Sequence, residues 1–143
     1  MAVLYAASAT QVFNTNPPTK VSPARHGGKV RVLSDVVTYA TQTTSDTIVV
    51  GGGRLPIGAQ VLYVLMTTDT TTGSATLALG ITGTVAKYKA AGAITTTNVP
   101  QIFCPAAAQL TAITTEEQLF LTIAGASLPG SGTLTVQVFY SLD

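Results

Sequence analysis

The stretch Thr133-Leu134-Thr135-Val136-Gln137-Val138-Phe139-Tyr140 decides the fold class. Leu134, Val136, Val138 and Tyr140 alternate with Thr133, Thr135, Gln137 and Phe139. Apolar residues at every second position describe a strand with one side in a core, because successive side chains of a strand point to opposite faces. β-Branched and aromatic residues suit such a pleated, half-buried surface.

The same period recurs upstream. Leu119, Leu121 and Ile123 face one way, and Phe120 and Thr122 the other. Ala75, Leu77, Leu79 and Ile81 lie opposite Ser74, Thr76 and Ala78, while Ala86 and Tyr88 alternate with Val85, Lys87 and Lys89. Val30 and Val32 alternate with Lys29 and Arg31, which reads as a half-buried strand with the valines as its apolar side. Residues 36–41 and 47–50 continue in this style, and Gly51, Gly52 and Gly53 then read as a flexible bend. Val61, Leu62, Tyr63, Val64, Leu65 and Met66 are apolar at every position, so both faces of this strand are expected to be covered, by a second sheet or by another subunit.

Turn residues punctuate these runs at 69–73, 83, 91–92, 98–100 and 127–132. No amphipathic helix is present, and residues 105–110 make at most a turn. Many short strands without helices predict an all-β, single-domain β-sandwich of jelly-roll type, with a closed β-barrel as the alternative. The first 28 residues differ in character. Asn14, Asn16, Pro17, Pro18, Pro23, Gly27 and Gly28 break regular structure, and one short strand over residues 2–13 is marked by Val3, Tyr5, Val12 and Phe13. The expected organisation is therefore an extended N-terminal arm over 1–28 and a β-sandwich domain over 29–143.

Composition narrows the function. Charged residues make up 9% of the 143-residue chain and the formal net charge is +1, against a usual charged share of about 25%. A surface of threonine, serine, glutamine and asparagine costs little to desolvate, and a near-neutral protein has little charge repulsion to keep copies apart. Association is the expected state. No run approaches the ~18 apolar residues of a membrane-spanning helix, and the N-terminus lacks the basic region of a signal peptide. An outer-membrane barrel is disfavoured by the absence of Trp and the few aromatics. Cys104, alone between Phe103 and Pro105, reads as a small hydrophobe, which fits synthesis in a reducing cytoplasm.

Chemistry is sparse. His26 is the only histidine, and it falls in the Pro/Gly-rich arm, a poor platform for a catalytic base. One His and one Cys cannot build the usual zinc site. Asp35, Asp46, Asp69, Glu116, Glu117 and Asp143 sit near turns or ends, where solvated or capping acids are expected. Gly53 and Gly58 have phosphate-loop spacing, but Ala59-Gln60 replaces the required Lys-Ser/Thr and Pro56 removes a backbone donor. No enzymatic activity, metal or cofactor is expected. Lys20, Arg25, Lys29 and Arg31 all precede the first acid, so residues 1–34 carry +4 and the remainder, with three bases and six acids, −3. A basic arm on a slightly acidic body points to an acidic protein surface. Nucleic acid is the weaker partner, because four charges without interleaved aromatics give only modest, salt-sensitive binding.

The run Val36-Val37-Thr38-Tyr39-Ala40 through Asp46-Thr47-Ile48, then Gly52-Gly53-Arg54-Leu55-Pro56-Ile57-Gly58-Ala59-Gln60-Val61-Leu62, resembles small virion proteins of tailed bacteriophages. In those, such a stretch precedes a Thr/Ala/Gly-rich strand, here Gly73-Ser74-Ala75-Thr76-Leu77-Ala78-Leu79-Gly80. The resemblance spans about residues 30–140. It implies a jelly-roll domain on the outside of an icosahedral capsid, a decoration or cement protein that stabilises contacts between capsomers. The implied partners are the major capsid protein and further copies of the chain, as a homodimer or homotrimer. The implied location is the outer capsid surface of the virion, after synthesis in the bacterial host cytoplasm. Candidate capsid-binding residues are Tyr5, Phe13, Lys20, Arg25, His26, Lys29 and Arg31. Val61, Leu62, Tyr63, Val64, Leu65 and Met66 form the candidate oligomer or sheet-packing face. The competing expectation is a receptor- or glycan-binding module of a phage fibre or spike, in which Tyr5, Tyr39 or Tyr63 would stack on sugar while Tyr88 and Tyr140 look inward.

Overall fold

In the computed structural model, which describes residues 28–142, the alternating runs become eight strands. They are β1 (Lys29–Thr38), β2 (Thr47–Leu55), β3 (Gln60–Thr68), β4 (Thr76–Ile81), β5 (Thr84–Gly92), β6 (Gln101–Phe103), β7 (Glu117–Ala124) and β8 (Thr133–Leu142). No helix occurs among the described residues. Pairing follows one rule: β1 with β8, β2 with β7, β3 with β6 and β4 with β5, all antiparallel. That is a single long hairpin with its tip at β4 and β5. Rolling it up adds the pairs β3–β8 and β4–β7 and yields two four-stranded sheets, β1-β8-β3-β6 and β2-β7-β4-β5. The result is the two-sheet jelly roll, and the sheets keep free edges instead of closing into a barrel.

The inner faces meet as the sequence alternation dictates. Leu134, Val136 and Val138 of β8, Leu119, Leu121 and Ile123 of β7, Leu77 and Leu79 of β4, and Val61, Val64 and Met66 of β3 are all buried in one cluster. Each such side chain contributes about 1.5–3 kcal/mol over leaving it in water. Tyr39 is also buried, and its hydroxyl lies 2.9 Å from Thr68 Oγ1, so its polar end is satisfied inside the core.

Two local expectations are corrected. Residues 29–38 form one continuous strand, and its apolar side is reversed: Val30, Val32 and Val36 are exposed, whereas Val37 is buried and Leu33 packs against the core. β8 sets this register, because Val37 pairs with Leu134 and Leu33 with Val138. A one-residue slip would turn every β1 side chain over. The three glycines are not a flexible bend. They form a bulge inside β2, where the register jumps between Val50↔Leu119 and Leu55↔Glu117. Gly51 holds φ at 92°, and a Cβ there would fall 2.0 Å from Leu33 Cδ2. Its N–H donates to Asp35 Oδ2 at 2.9 Å, which ties the bulge to β1. The uniformly apolar β3 also has a local cause: the register shifts between Val61↔Tyr140 and Tyr63↔Phe139, so Leu62 is an extra residue. The bulge lets Val61 and Val64, three apart, both enter the core.

Candidate interaction surfaces

Two neighbouring concavities on the described body are open to solvent. One, of about 430 Å³, is lined by Arg54, Ile81, Thr82, Thr115, Glu116 and Phe120, among others. A neighbouring one of about 410 Å³ shares Ile81, Thr82 and Phe120 and adds Thr47, Val85 and Thr122. No three His, Cys, Asp or Glu side chains gather to hold a metal among the described residues.

The acids are structural. Asp46 Oδ2 accepts from Thr43 N and Oγ1, closing the turn between β1 and β2. Asp69 accepts from Thr133 N and Oγ1 at 2.8 Å each, which holds its carboxyl below the usual range. Asp35 binds the N–H of Val36 and of Gly51. Glu116 pairs with Arg54 at 3.7 Å on the surface. Glu117 departs from the expectation of a solvated acid. It is buried at the start of β7, where it accepts from the ammonium of Lys87 and the hydroxyl of Tyr88. Desolvation, and then the hydrogen bond to Glu117, push the Tyr88 hydroxyl far above its ordinary value. This trio, buried at Glu117 and Tyr88 and half-buried at Lys87, links β5 to β7 past the end of β4.

Lys89 is buried as well. Its ammonium donates to the carbonyls of Leu77, Ala90 and Gly92 at 2.6, 3.1 and 3.1 Å and lies 4.8 Å from the Phe103 ring centre. Burial lowers its pKa. The lysine satisfies carbonyls where β5 bulges away from β4, and neither its composition nor its spacing announces that role. Cys104 is half-buried with its thiol pushed up by desolvation, as fits an inert packing residue.

Of the residues singled out in the sequence, Tyr5, Phe13, Lys20, Arg25 and His26 lie outside the described residues. Lys29 and Arg31 stand exposed at the start of β1, the outermost strand of its sheet. The run 61–66 divides. Val61, Val64 and Met66 belong to the core, whereas Leu62, Tyr63 and Leu65 are half-buried, and Tyr63 stacks on Phe139 at 4.6 Å between ring centres. Tyr39 is buried, so it cannot stack on a sugar. Tyr88 is buried and Tyr140 packs against the core, as expected.

What sequence reasoning missed is the outer face of the β1-β8-β3-β6 sheet. Register places Val30, Val32, Ser34, Val36 and Thr38 of β1 beside Ser141, Phe139, Gln137, Thr135 and Thr133 of β8. Gln60, Tyr63, Leu65 and Thr67 of β3 follow, then Ile102 of β6 opposite Leu65. None of these side chains is charged. Val30, Val32, Val36 and Ile102 remain 61, 47, 58 and 68% exposed.

No protein-family model matches the chain, and no curated protein does. Solved structures do. A chain in the capsid asymmetric unit of cyanophage Pam1 is 24% identical and superposes with a TM-score of 0.71, over 91% of this chain and 97% of that one. The fold is one that phage capsids contain. A chain from the capsid of Ralstonia phage GP4 is 19% identical, with a TM-score of 0.63 over 81% of this chain and 86% of its own length. A third, from the acid-stable capsid of Helicobacter pylori bacteriophage KHP30, is 12% identical, with a TM-score of 0.52 over 79% of this chain and 87% of that chain.

Proposed function

We propose that the protein is a virion structural component that decorates the outside of an icosahedral phage capsid and strengthens contacts between capsomers, without enzymatic activity. The observation that carries this reading is the jelly roll shared with capsid chains of three phages, over 79–91% of the chain. The site chemistry agrees with it. The acids of the described body are used in capping turns, tying a bulge and bridging strands, and the exposed surface is rich in uncharged hydroxyl and aliphatic groups that are cheap to bury against protein.

In this reading the major capsid protein is the partner, and the protein also associates with itself as a dimer or trimer. Several weak contacts to one shell reinforce each other, because each later contact is intramolecular. Residues 1–28, with Tyr5, Phe13, Lys20, Arg25 and His26, supply a tether that adds to the contacts made by the body. The test is co-sedimentation with capsids that lack the protein, comparing the full chain with one starting at Lys29. Saturable binding that weakens on truncation is expected. Absence of binding by both forms overturns the reading, and a glycan-binding fibre or spike module then becomes the one to test.

A further inference from the structure

We infer that the free edge of β1 takes β1 of a second copy, paired antiparallel about a two-fold axis at Val32. This inference rests on the self-association in the reading above and names the surface that carries it, without needing the capsid. An edge strand offers backbone N–H and C=O groups to any strand that can reach them, and proteins that need no such contact blunt the edge. Three of the four edges here are blunted. β6 is three residues long, and the part of β3 it leaves is closed by residues 109–113, where Leu110 N donates to Val61 O and Ile113 N to Ala59 O. β5 meets β4 with two register shifts and carries the buried Lys89. β2 is interrupted by its glycine bulge. β1 alone runs ten residues in unbroken register with its neighbour.

Hydrogen bonds show which part of that edge is open. Tyr39 N donates to Gly132 O in continuation of the β1–β8 register. Odd-numbered residues of β1 therefore turn their backbone groups to β8, and even-numbered ones turn theirs to the free edge. Toward the end of the strand these groups are engaged: Val36 N donates to Asp35 Oδ1, and Thr38 O accepts from Gln42 Nε2. Val30, Val32 and Ser34 are exposed, and no described residue bonds their outward N–H and C=O groups.

Open residues at three alternate positions make the stretch self-complementary. One antiparallel register engages all three in both copies, with Val32 opposite the partner's Val32 and Val30 opposite the partner's Ser34. Lys29 then falls opposite the partner's Asp35, twice by symmetry, and Arg31 opposite the partner's Leu33. By alternation Lys29 and Asp35 share one side of β1, the side on which Leu33 and Val37 meet the core, so the opposite charges meet as a cross-strand pair. Each Asp35 oxygen accepts one backbone N–H, from Val36 or Gly51, and has a lone pair left for an ammonium. A register shifted one step sets Arg31 against the partner's Arg31. A step the other way recruits Val36, whose N–H is already bonded. Charge and edge capping thus select one register and one occupant, and a two-fold contact of this kind closes at two chains.

The experiment is the solution mass of the full chain by analytical ultracentrifugation at low and high salt, with oxidative crosslinking and a melting curve for each variant. The wild type should sediment as two chains. Val32→Pro deletes both central hydrogen bonds of the pair but none to β8, so it should give single chains that still melt cooperatively. Lys29→Glu should weaken association about tenfold at low salt and much less at high salt, where exposed charges are screened. In a Cys104→Ser background, Val32→Cys should form a disulfide between chains, because residues of a hydrogen-bonded antiparallel pair lie about 5.5 Å apart at Cα. Val36→Cys, roughly 27 Å from its counterpart in this register, should not. The cysteine variants carry the test if proline unfolds the strand.

A one-chain wild type overturns the inference, as does a two-chain mass that folded Val32→Pro leaves unchanged. A three-chain mass, or crosslinking of Val36→Cys to the same extent as Val32→Cys, is equally fatal. Single chains whose capsid binding disappears in Val32→Pro give the edge to a capsid strand and overturn it too. Co-sedimentation separates this inference from the decoration reading. Two chains joined at Val32 that bind no capsid keep the inference and remove decoration, whereas capsid binding by a one-chain wild type does the reverse.

Discussion

The trio of Lys87, Tyr88 and Glu117 shows how one carboxylate can tie an edge strand to the body of a sheet. Glu117 sits at the start of β7, and both of its partners sit on β5, two positions away across β4. Removing the shared acceptor leaves an ammonium and a buried hydroxyl unmatched. Glu117→Ala should therefore cost about 2–3 kcal/mol in urea unfolding, and Lys87→Ala nearer 1 kcal/mol because the lysine reaches solvent. Lys89 gives a pH-dependent test. Its native pKa lies below the unfolded value, so between the two the unfolded chain binds more protons and stability rises with pH. The penalty is fully present below the native value and fades as pH climbs toward the ordinary value of about 10.4. Tyr88 works in the opposite sense above its ordinary value, because its raised pKa makes the native state hold the proton longer. The raised Cys104 thiol also works against the Lys89 effect in this range, so the signature is a difference: as pH climbs toward the ordinary lysine value, urea midpoints of the wild type should gain on those of Lys89→Met. Ser141 offers a milder check. Its hydroxyl is buried without a hydrogen-bond partner, beside the equally unpartnered Gln60 Oε1 with which it shares register. Ser141→Ala should be neutral or stabilise by up to about 1 kcal/mol, since no bond is lost and a desolvated polar atom is removed.

At the scale of the strand, the bulges decide which side chains enter the core. Gly51 combines a φ of 92° with a neighbour that fills the space of a Cβ, whereas Gly52, at 51°, has nothing within 4 Å. Gly51→Ala should thus cost about 2–4 kcal/mol through overpacking and backbone strain together, and Gly52→Ala only about 1 kcal/mol. Pairing Gly51→Ala with Leu33→Ala should recover part of the loss, because the clash is with Leu33 itself; thermal melts of the two single variants and the double variant measure that coupling. The same strands show what was legible in the sequence. β7 alternates throughout and β8 from Thr133 to Val138, and over those residues inward and outward sides follow directly from period two. β1 alternates too, but its valines are on the wrong side for a local reading. Only the pairing of Val37 with Leu134, nearly a hundred positions away in the chain, says which half faces the core. β2 and β3 are harder still, since their bulges break the period, and β2 thereby looks like a bend. β6, three residues long, gives no period at all. The uncharged outer face escaped for the same reason: it is assembled from four strands whose order no local signal contains. The basic start of β1, by contrast, was visible as a run of charges before Asp35.

At the scale of the molecule, the rolled hairpin makes the two ends of the described body depend on each other. Lys29 pairs with Leu142 at one end of the β1–β8 ladder and Thr38 with Thr133 at the other. β8 is also the inner neighbour of β3, so it occupies the middle of its sheet although it comes last in the chain. Without it, β1 has no partner, β3 loses one whole side, and Leu134, Val136 and Val138 vanish from the core. A chain ending at Gly132 should therefore fail to fold, with no cooperative melting transition and no dispersed amide spectrum. The full chain should fold slowly for its size. Its defining pairs close loops of about a hundred residues, and the entropy of those closures must be met before the contacts return any free energy. Stopped-flow refolding from urea should give relaxation times of milliseconds to seconds, the range of all-β sandwiches dominated by non-local contacts. Val138→Ala, which removes a buried β8 side chain, should lower stability by about 1–3 kcal/mol. If docking of β8 nucleates the roll, that loss appears mainly as slower folding; if β8 docks after the barrier, it appears mainly as faster unfolding. The central position of β8 between two strands from the first half of the chain favours the first outcome, because neither β1 nor β3 can complete a sheet before it arrives.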